Sequence, residues 1–248
     1  MTRALPLPDS KKLYEVCEAT WPPASITRHG AWTIREGQGA GQRVSAATED
    51  WPTTEADLPC AEAAMRALGQ NPIFMIREGE DALDAMLAAH GYEIVDPVNI
   101  YAIPVAELTG EKAEPVSGFA VWPPLTIMKE LWAEGGIRHA RLGVMERAEG
   151  PKTGLLGRSN DKPSGVAYVG IHDGIAMLHA LEVSPKLRRT GTARNLLRIA
   201  AHWAADQGAT VFSLIVTQGN HAANPLYASL GMRLQGHYHY RRKPLTHG

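Results

Sequence analysis

The segment Leu181-Glu-Val-Ser-Pro-Lys-Leu-Arg-Arg-Thr-Gly-Thr-Ala193 decides the fold. A hydrophobic strand runs into a proline turn, two arginines follow, and a glycine stands just before a helix-forming stretch. Glycine enters backbone conformations that other residues resist, so the loop can curl with its N–H groups pointing inward. The helix behind it adds its positive end. Arg188 and Arg189 can supply charge-assisted hydrogen bonds. This order builds a seat for a phosphate or pyrophosphate. It has neither the Gly-x-x-x-x-Gly-Lys-Ser/Thr spacing nor Gly-x-Gly-x-x-Gly after a strand.

Working outward, residues 175–183 are nearly all apolar and predict a central strand. Residues 192–207 predict a helix ended by Gly208, with Ala193, Leu196, Leu197, Ala200 and Ala204 on one stripe. Residues 211–216 read as a buried strand, 223–230 as a short helix stopped by Gly231, and 232–241 as a last strand. Upstream, 125–134 predicts a helix, 137–147 a strand, 150–164 a mobile loop, and 166–171 a strand before the turn His172-Asp-Gly174. The polar stretch 109–118 reads as a linker and divides the chain into domains 1–112 and 113–248.

The N-terminal half ends as the C-terminal half does. Residues 73–76 predict a strand, 81–90 a helix stopped by Gly91, and a strand then runs through 101–103 to Pro104. Gly91 stands thirteen residues before Pro104, and Gly231 thirteen before Pro244. This reads as a diverged internal duplication with a short insertion upstream of the glycines. Leu87 then occupies the place of Tyr227. The counterpart of the anion loop is residues 48–57, which carry no glycine, no arginine and four acidic residues. Such a loop repels a pyrophosphate.

The chain has 248 residues, 44% hydrophobic and 21% charged, enough for a large core and unlike a disordered sequence. Its formal net charge of −1 gives no general drive toward nucleic acid or an anionic membrane. The two cysteines, Cys17 and Cys60, have no metal or redox spacing, so a reducing cytoplasm is expected. The N-terminus lacks a signal-peptide core, no apolar run reaches the length of a membrane span, and the histidines show no metal-ligand spacing.

Downstream of the anion loop comes Asn220-His-Ala-Ala-Asn-Pro-Leu-Tyr-Ala-Ser-Leu-Gly-Met232. Together, Arg188-x-x-Gly191-x-Ala193 and this second segment resemble the two signatures of the GNAT superfamily of N-acetyltransferases: Gln/Arg-x-x-Gly-x-Gly/Ala, then Asn-x-x-Ala-x-x-Leu-Tyr-x-x-x-Gly-Phe/Met. The resemblance is well carried over residues 165–241, extends back to about residue 120, and is faint in the N-terminal half. It implies an α/β fold of two GNAT-like domains, each a mixed, mostly antiparallel twisted sheet flanked by helices. The second domain would be intact, and the first degenerate and without a coenzyme A site.

The resemblance also implies an acetyl-CoA-dependent N-acetyltransferase without a metal, with a catalytically inactive acyl-CoA-binding or sensing module as the alternative. The pantetheine arm of acetyl-CoA would lie along backbone at Leu181 and Val183. Its pyrophosphate would lie on Arg188, Arg189, Thr190, Gly191, Thr192 and Ala193, with Asn220 and Asn224 across the gap. Tyr227 matches the tyrosine that protonates the departing thiolate. A backbone N–H near Leu181 or Val183 would meet the oxyanion. An amine of pKa about 10 is mostly protonated at neutral pH, so a base is required. Glu182 fits, on the central strand in an apolar run where burial raises a carboxyl pKa, and His179 on the same strand is the alternative. The acceptor would be a small-molecule amine, or else a peptide amine, and a homodimer is allowed. On the last strand His237, Tyr238, His239 and Tyr240 alternate, lining an acceptor pocket or forming an exposed edge. Trp122, Trp132 and Trp203 read as core or interface aromatics.

Overall fold

The computed structural model describes residues 6–244. In chain order the elements are α1 (Ser10–Thr20), β1 (Ser25–His29), β2 (Trp32–Glu36), β3 (Thr48–Glu49), α2 (Leu58–Ala67), β4 (Ile73–Arg77), α3 (Asp81–Ala89), β5 (Glu93–Pro104), α4 (Val105–Leu108), β6 (Gly118–Val121), α5 (Thr126–Glu134), α6 (His139–Arg147), β7 (Lys152–Ser159), β8 (Lys162–His172), β9 (Ile175–Val183), α7 (Thr192–Asp206), β10 (Val211–Thr217), α8 (Ala223–Ser229) and β11 (Arg233–Arg242). Eight strands form one sheet in the order β4-β11-β5-β10-β9-β8-β7-β6, and β1-β2-β3 form a second. The named strands all pair antiparallel except β9 with β10.

Alternation along the central strands sorts side chains to two faces. On one face Leu178, Phe212 and Leu214 pack under α7, whose Leu196, Leu197, Ala200, Ala201 and Ala204 are fully buried. Each buried leucine there contributes about 1.5–3 kcal/mol. Elsewhere Met177, Ile100 and Ala102 meet α1 through Leu13, Val16 and Cys17. Val166 and Tyr168 meet α5 and α6. Asp9 caps α1, accepting from the Lys12 amide at 2.8 Å.

The two halves share one order: hairpin, strand, helix, strand, helix, strand. Gly91 and Gly231 both close their helices with φ of 79°, and their amides reach Ala88 and Ala228 carbonyls at 3.0 Å. The last strands of the halves are exchanged. β5 lies against β10, and β11 against β4, with β5 and β11 side by side. In that central pair Arg233 faces Ala102 and Arg242 faces Glu93, while Leu234 faces Tyr101 and Arg241 faces Ile94. When Gly91 is laid on Gly231, each pair maps onto its mate, so the register is two-fold symmetric.

Two local expectations are corrected. Residues 137–147 hold α6 instead of a strand, because Val144, Met145 and Ala148 recur at helical spacing and bury together. The 150–164 stretch is not a mobile loop but β7 and the start of β8, joined at Asn160 and Asp161, whose φ of 51° and 58° suit a tight hairpin turn. Its glycines serve close packing: a Cβ on Gly154 would stand 2.6 Å from Met128 Cε, and one on Gly157 3.0 Å from Thr192 Cγ2. β11 is an interior strand, so the exposed-edge reading of residues 237–240 falls as well.

Candidate active site

β9 and β10 pair from Ile175/Val211 to Leu178/Leu214 and then separate, although β9 runs on to Val183 and β10 to Thr217. The cause lies in β9. Ala180 has φ of 52°, and the register with β8 shifts between Tyr168/His179 and Val166/Glu182, which marks a bulge. Trp132 Nε1 donates to the Ala180 carbonyl at 2.8 Å and fixes it. Past the bulge the β10-facing edge of β9 has no strand partner. A cavity of about 560 Å³ opens at the split. Its walls are Leu178 to Glu182 of β9, Ile215 to Thr217 of β10, Asn220 and Tyr227, with Trp21, Arg43, Asp96, Arg141, Tyr238 and Tyr240 completing the enclosure.

β9 leads into the anion loop. A 3-10 turn spans Pro185–Leu187, Arg189 takes φ of 65° and Gly191 φ of 84°. The Thr190 hydroxyl donates to the Leu187 carbonyl at 2.8 Å, and Thr192 Oγ1 lies 2.9 Å from Ser164 Oγ. No side chain caps α7. The amides of Gly191, Thr192, Ala193 and Arg194 therefore donate to no acceptor among the described residues. Arg188 and Arg189 are exposed and in no ion pair among the described residues. Uncapped amides, a helix N-terminus and two free guanidiniums are what a pyrophosphate needs. The start of α7 lies against β8, where a Cβ on Gly165 would stand 2.9 Å from Thr192 Cγ2.

The residues proposed for chemistry meet on the cavity wall. Glu182 is half-buried, and burial pushes its carboxyl above the usual range against the opposing pull of Arg188 and Arg141. Tyr227 on α8 is only 4% exposed; burial pushes its phenol up, and its hydroxyl forms no hydrogen bond among the described residues. Asn220 also lines the cavity while its Oδ1 accepts from the Ala223 amide at 3.0 Å. Asn224 is not on the wall. Its Nδ2 donates to the carbonyls of Thr217, Gln218 and Asn220, and its Oδ1 accepts from Asn99 and the Tyr101 hydroxyl, so it ties the β10–α8 turn to β5.

His179 is buried with both nitrogens engaged. The Thr20 hydroxyl donates to the Val16 carbonyl at 2.7 Å, so His179 Nε2 donates to Thr20 Oγ1 at 2.8 Å. Nδ1 then accepts from Arg43 Nη1 at 3.0 Å. Burial, and secondarily the Arg43 charge, hold the imidazole neutral well below its ordinary pKa. No lone pair is left for a substrate. On β11, Tyr238 and Tyr240 face the cavity, whereas His239 turns to Asp84 at 2.6 Å and His237 is exposed. Trp21, Arg43, Asp96 and Arg141 were missed by the sequence reading. Trp21 follows α1, Arg43 lies in a 3-10 turn, Asp96 in β5 and Arg141 in α6, and only the fold unites them. Trp132 is fully buried, as a core aromatic should be. Among the described residues no cluster of three or more His, Cys, Asp or Glu could hold a metal, and no helix is long and apolar enough to cross a membrane.

Residues 124–232, which include the split strands, the anion loop and Tyr227, match the model of the acetyltransferase (GNAT) family. Over these residues the chain is similar to the GNAT acetyltransferases. A curated relative, "Uncharacterized N-acetyltransferase YobR" of Bacillus subtilis, is 26% identical over 251 residues, covering 95% of this chain and 99% of that one. Among solved structures, a GCN5-related N-acetyltransferase from Kribbella flavida superposes with a TM-score of 0.71 at 18% identity, covering 95% and 96% of the two chains. A tandem GNAT protein from the clavulanic acid biosynthesis pathway does so with 0.60 at 14% identity, covering 96% and 88%. Both superpositions span both halves of the chain, so the GNAT fold extends over the N-terminal half too. GNAT proteins generally use acetyl-CoA. The unpaired β9 edge and uncapped α7 amides fit its pantetheine amides and pyrophosphate.

Proposed function

We propose that this protein is an acetyl-CoA-dependent N-acetyltransferase whose single working site lies in residues 113–248. The observation that carries the proposal is the β9–β10 split, which opens onto one cavity bearing both Glu182 and Tyr227, with an uncapped helix start at the end of β9. Backbone at Leu181 and Val183 would hold the pantetheine arm. Residues 188–193 would hold the pyrophosphate, and Asn220 would approach from the facing wall. Asn224 would act by holding the turn that presents Asn220.

When bound, acetyl-CoA supplies an acetyl group activated as a thioester. The acceptor amine attacks the carbonyl carbon, a C–N bond forms and the C–S bond breaks. Glu182 accepts the proton that the nitrogen loses, its raised pKa making it a stronger base than an exposed carboxylate. The Tyr227 hydroxyl, protonated across the working pH range, donates to the departing sulfur. An unpaired N–H of β9 would meet the charge on the acyl oxygen.

The first half supplies scaffold and wall without a second cofactor site. Its loop at residues 48–57 satisfies its own donors: the Thr54 amide and hydroxyl both donate to Asp57, and Thr53 does the same toward Glu49. Its equivalent of Tyr227, Leu87, is buried in apolar core. The free thiols of Cys17 and Cys60 are in keeping with a cytoplasmic setting.

Free-thiol release from acetyl-CoA, measured over a library of amines, tests the reading. Turnover is expected, with Tyr227→Phe lowering kcat by about 10²-fold at unchanged acetyl-CoA affinity, and Arg188→Glu abolishing calorimetric binding. Tight binding without turnover on any amine would establish the sensing module instead.

A further inference from the structure

Arg43 is a cation without a counter-charge. It stands in a 3-10 turn at Gln42–Val44 and reaches the cavity wall from the N-terminal half. Its Nη1 bonds to neutral His179, its guanidinium lies 6.0 Å from the Trp21 ring centroid, and its other neighbours are Cys17, Tyr238 and Tyr240. Burial pushes the thiol and both phenols upward, so each of these groups is neutral. Nε is buried and has no hydrogen-bond partner, the Tyr238 hydroxyl and the Cys17 thiol lie within hydrogen-bonding reach of the guanidinium, and Arg43 forms no ion pair among the described residues. Two other enclosed arginines are neutralised, Arg35 by Glu18 and Arg241 by Asp84, whereas Arg147 shares a buried, unpartnered Nε and has no ion pair among the described residues, but it does not line the cavity. An enclosed guanidinium with unused donors is costly unless an anion joins it. Its planar fork matches a carboxylate.

The same wall carries the rest of a recognition set. Arg141 donates to the Ala40 carbonyl at 3.3 Å and is in no ion pair among the described residues. Asp96 and Glu182 bring two carboxylates to the cavity. His179, which holds Arg43, is on the same strand as Glu182, three positions before it. A guest with an amine at Glu182 and an anionic group at Arg43 would satisfy both ends.

We infer that the acceptor is a small amino carboxylate, a free amino acid or a close homologue, with its carboxylate seated on Arg43 and its amine presented to Glu182. This rests on the acetyl-transfer reading above and adds the acceptor class to it. His179 is a positioning residue here. Its neutral ring fixes the guanidinium through Nδ1 and is itself locked by Thr20.

Matched acceptor pairs test the inference in the thiol-release assay: glycine, alanine, β-alanine, γ-aminobutyrate, phenylalanine and lysine, each against its amide and its decarboxylated amine. The carboxylate member of at least one pair is expected to show about tenfold or greater advantage in kcat/KM, the size of one good charge-assisted contact. Arg43→Gln should erase that advantage through KM for the acceptor, leave KM for acetyl-CoA in place, and be partly rescued in Arg43→Lys. Equal rates within every pair would overturn the carboxylate seat while leaving acetyl transfer standing. No turnover of any member, with acetyl-CoA binding intact by calorimetry, would overturn both. If Arg43→Gln fails to fold, the comparison of alanine with alaninamide on the unaltered protein decides alone.

Discussion

Asp84 shows how a single side chain couples the two halves. It sits on α3 and accepts from Arg241 Nε at 2.7 Å and Nη2 at 2.9 Å, and from His239 at 2.6 Å, both on β11. The Arg241 hydrogen bonds, opposed by burial and helped by His239, hold its carboxyl below the usual aspartate range. A depressed folded pKa contributes stability that is complete above the unfolded value of about 3.9 and is lost as pH falls through the folded one. Asp84→Asn should therefore lower stability by about 1–3 kcal/mol at neutral pH, and the gap from the unaltered protein should close in acid, as denaturant titrations at several pH values would reveal. Glu182 has the opposite shift. Its raised pKa should place the acid limb of kcat/KM above that of an exposed glutamate, and Glu182→Gln should remove that limb along with most of the rate. The cavity-wall positions of Tyr227 and Glu182 could be anticipated, the first from its offset to Gly231 and the second from its place in the apolar run of the central strand. That of Arg43 could not, since no pattern within residues 41–45 distinguishes an arginine that lines a cavity from one on a surface turn.

Among the elements, the seating of α7 decides whether the anion loop exists. Gly157 and Gly165 let its first turn lie directly on the sheet. A Cβ on Gly165 would stand 2.8 Å from the Glu182 carbonyl and 2.9 Å from Thr192 Cγ2. Gly165→Ala should cost about 1–3 kcal/mol by overpacking and, by displacing residues 190–193, weaken acetyl-CoA binding in calorimetry more than its melting temperature alone would suggest. The helices and strands from residue 166 onward were readable because their apolar runs are bounded by glycines at C-caps and turns. β7 was hidden because its glycines resemble loop composition, yet they are there to admit Met128 and Thr192. α6 was misread because a nine-residue helix with His139, Arg141, Glu146 and Arg147 among its residues gives little apolar periodicity to count.

For the whole molecule, the exchange of β5 and β11 makes the boundary at residues 112–113 a boundary of sequence, with a sheet that runs across it. Residues 113–248 expressed alone would leave β10 without its β5 neighbour and β11 without β4 and β5. That exposes a strand edge and the apolar face that Ile100, Ala102 and Ile103 now cover. Such a fragment should be insoluble or lack near-ultraviolet circular dichroism, and co-expression with residues 1–112 should restore both. The intact chain should unfold in one transition by calorimetry. The doubling itself could be read from Gly91, Pro104, Gly231 and Pro244, but the exchange could not, because hydrophobic alternation fixes which face of a strand is buried and says nothing about which neighbour it takes. The exchanged strands also set a timetable for synthesis. β5 leaves the ribosome well before both of its partners, β10 and β11. The N-terminal half must therefore wait with an open edge until β10 and β11 have emerged, and the cavity that Arg43 and Glu182 share closes only then.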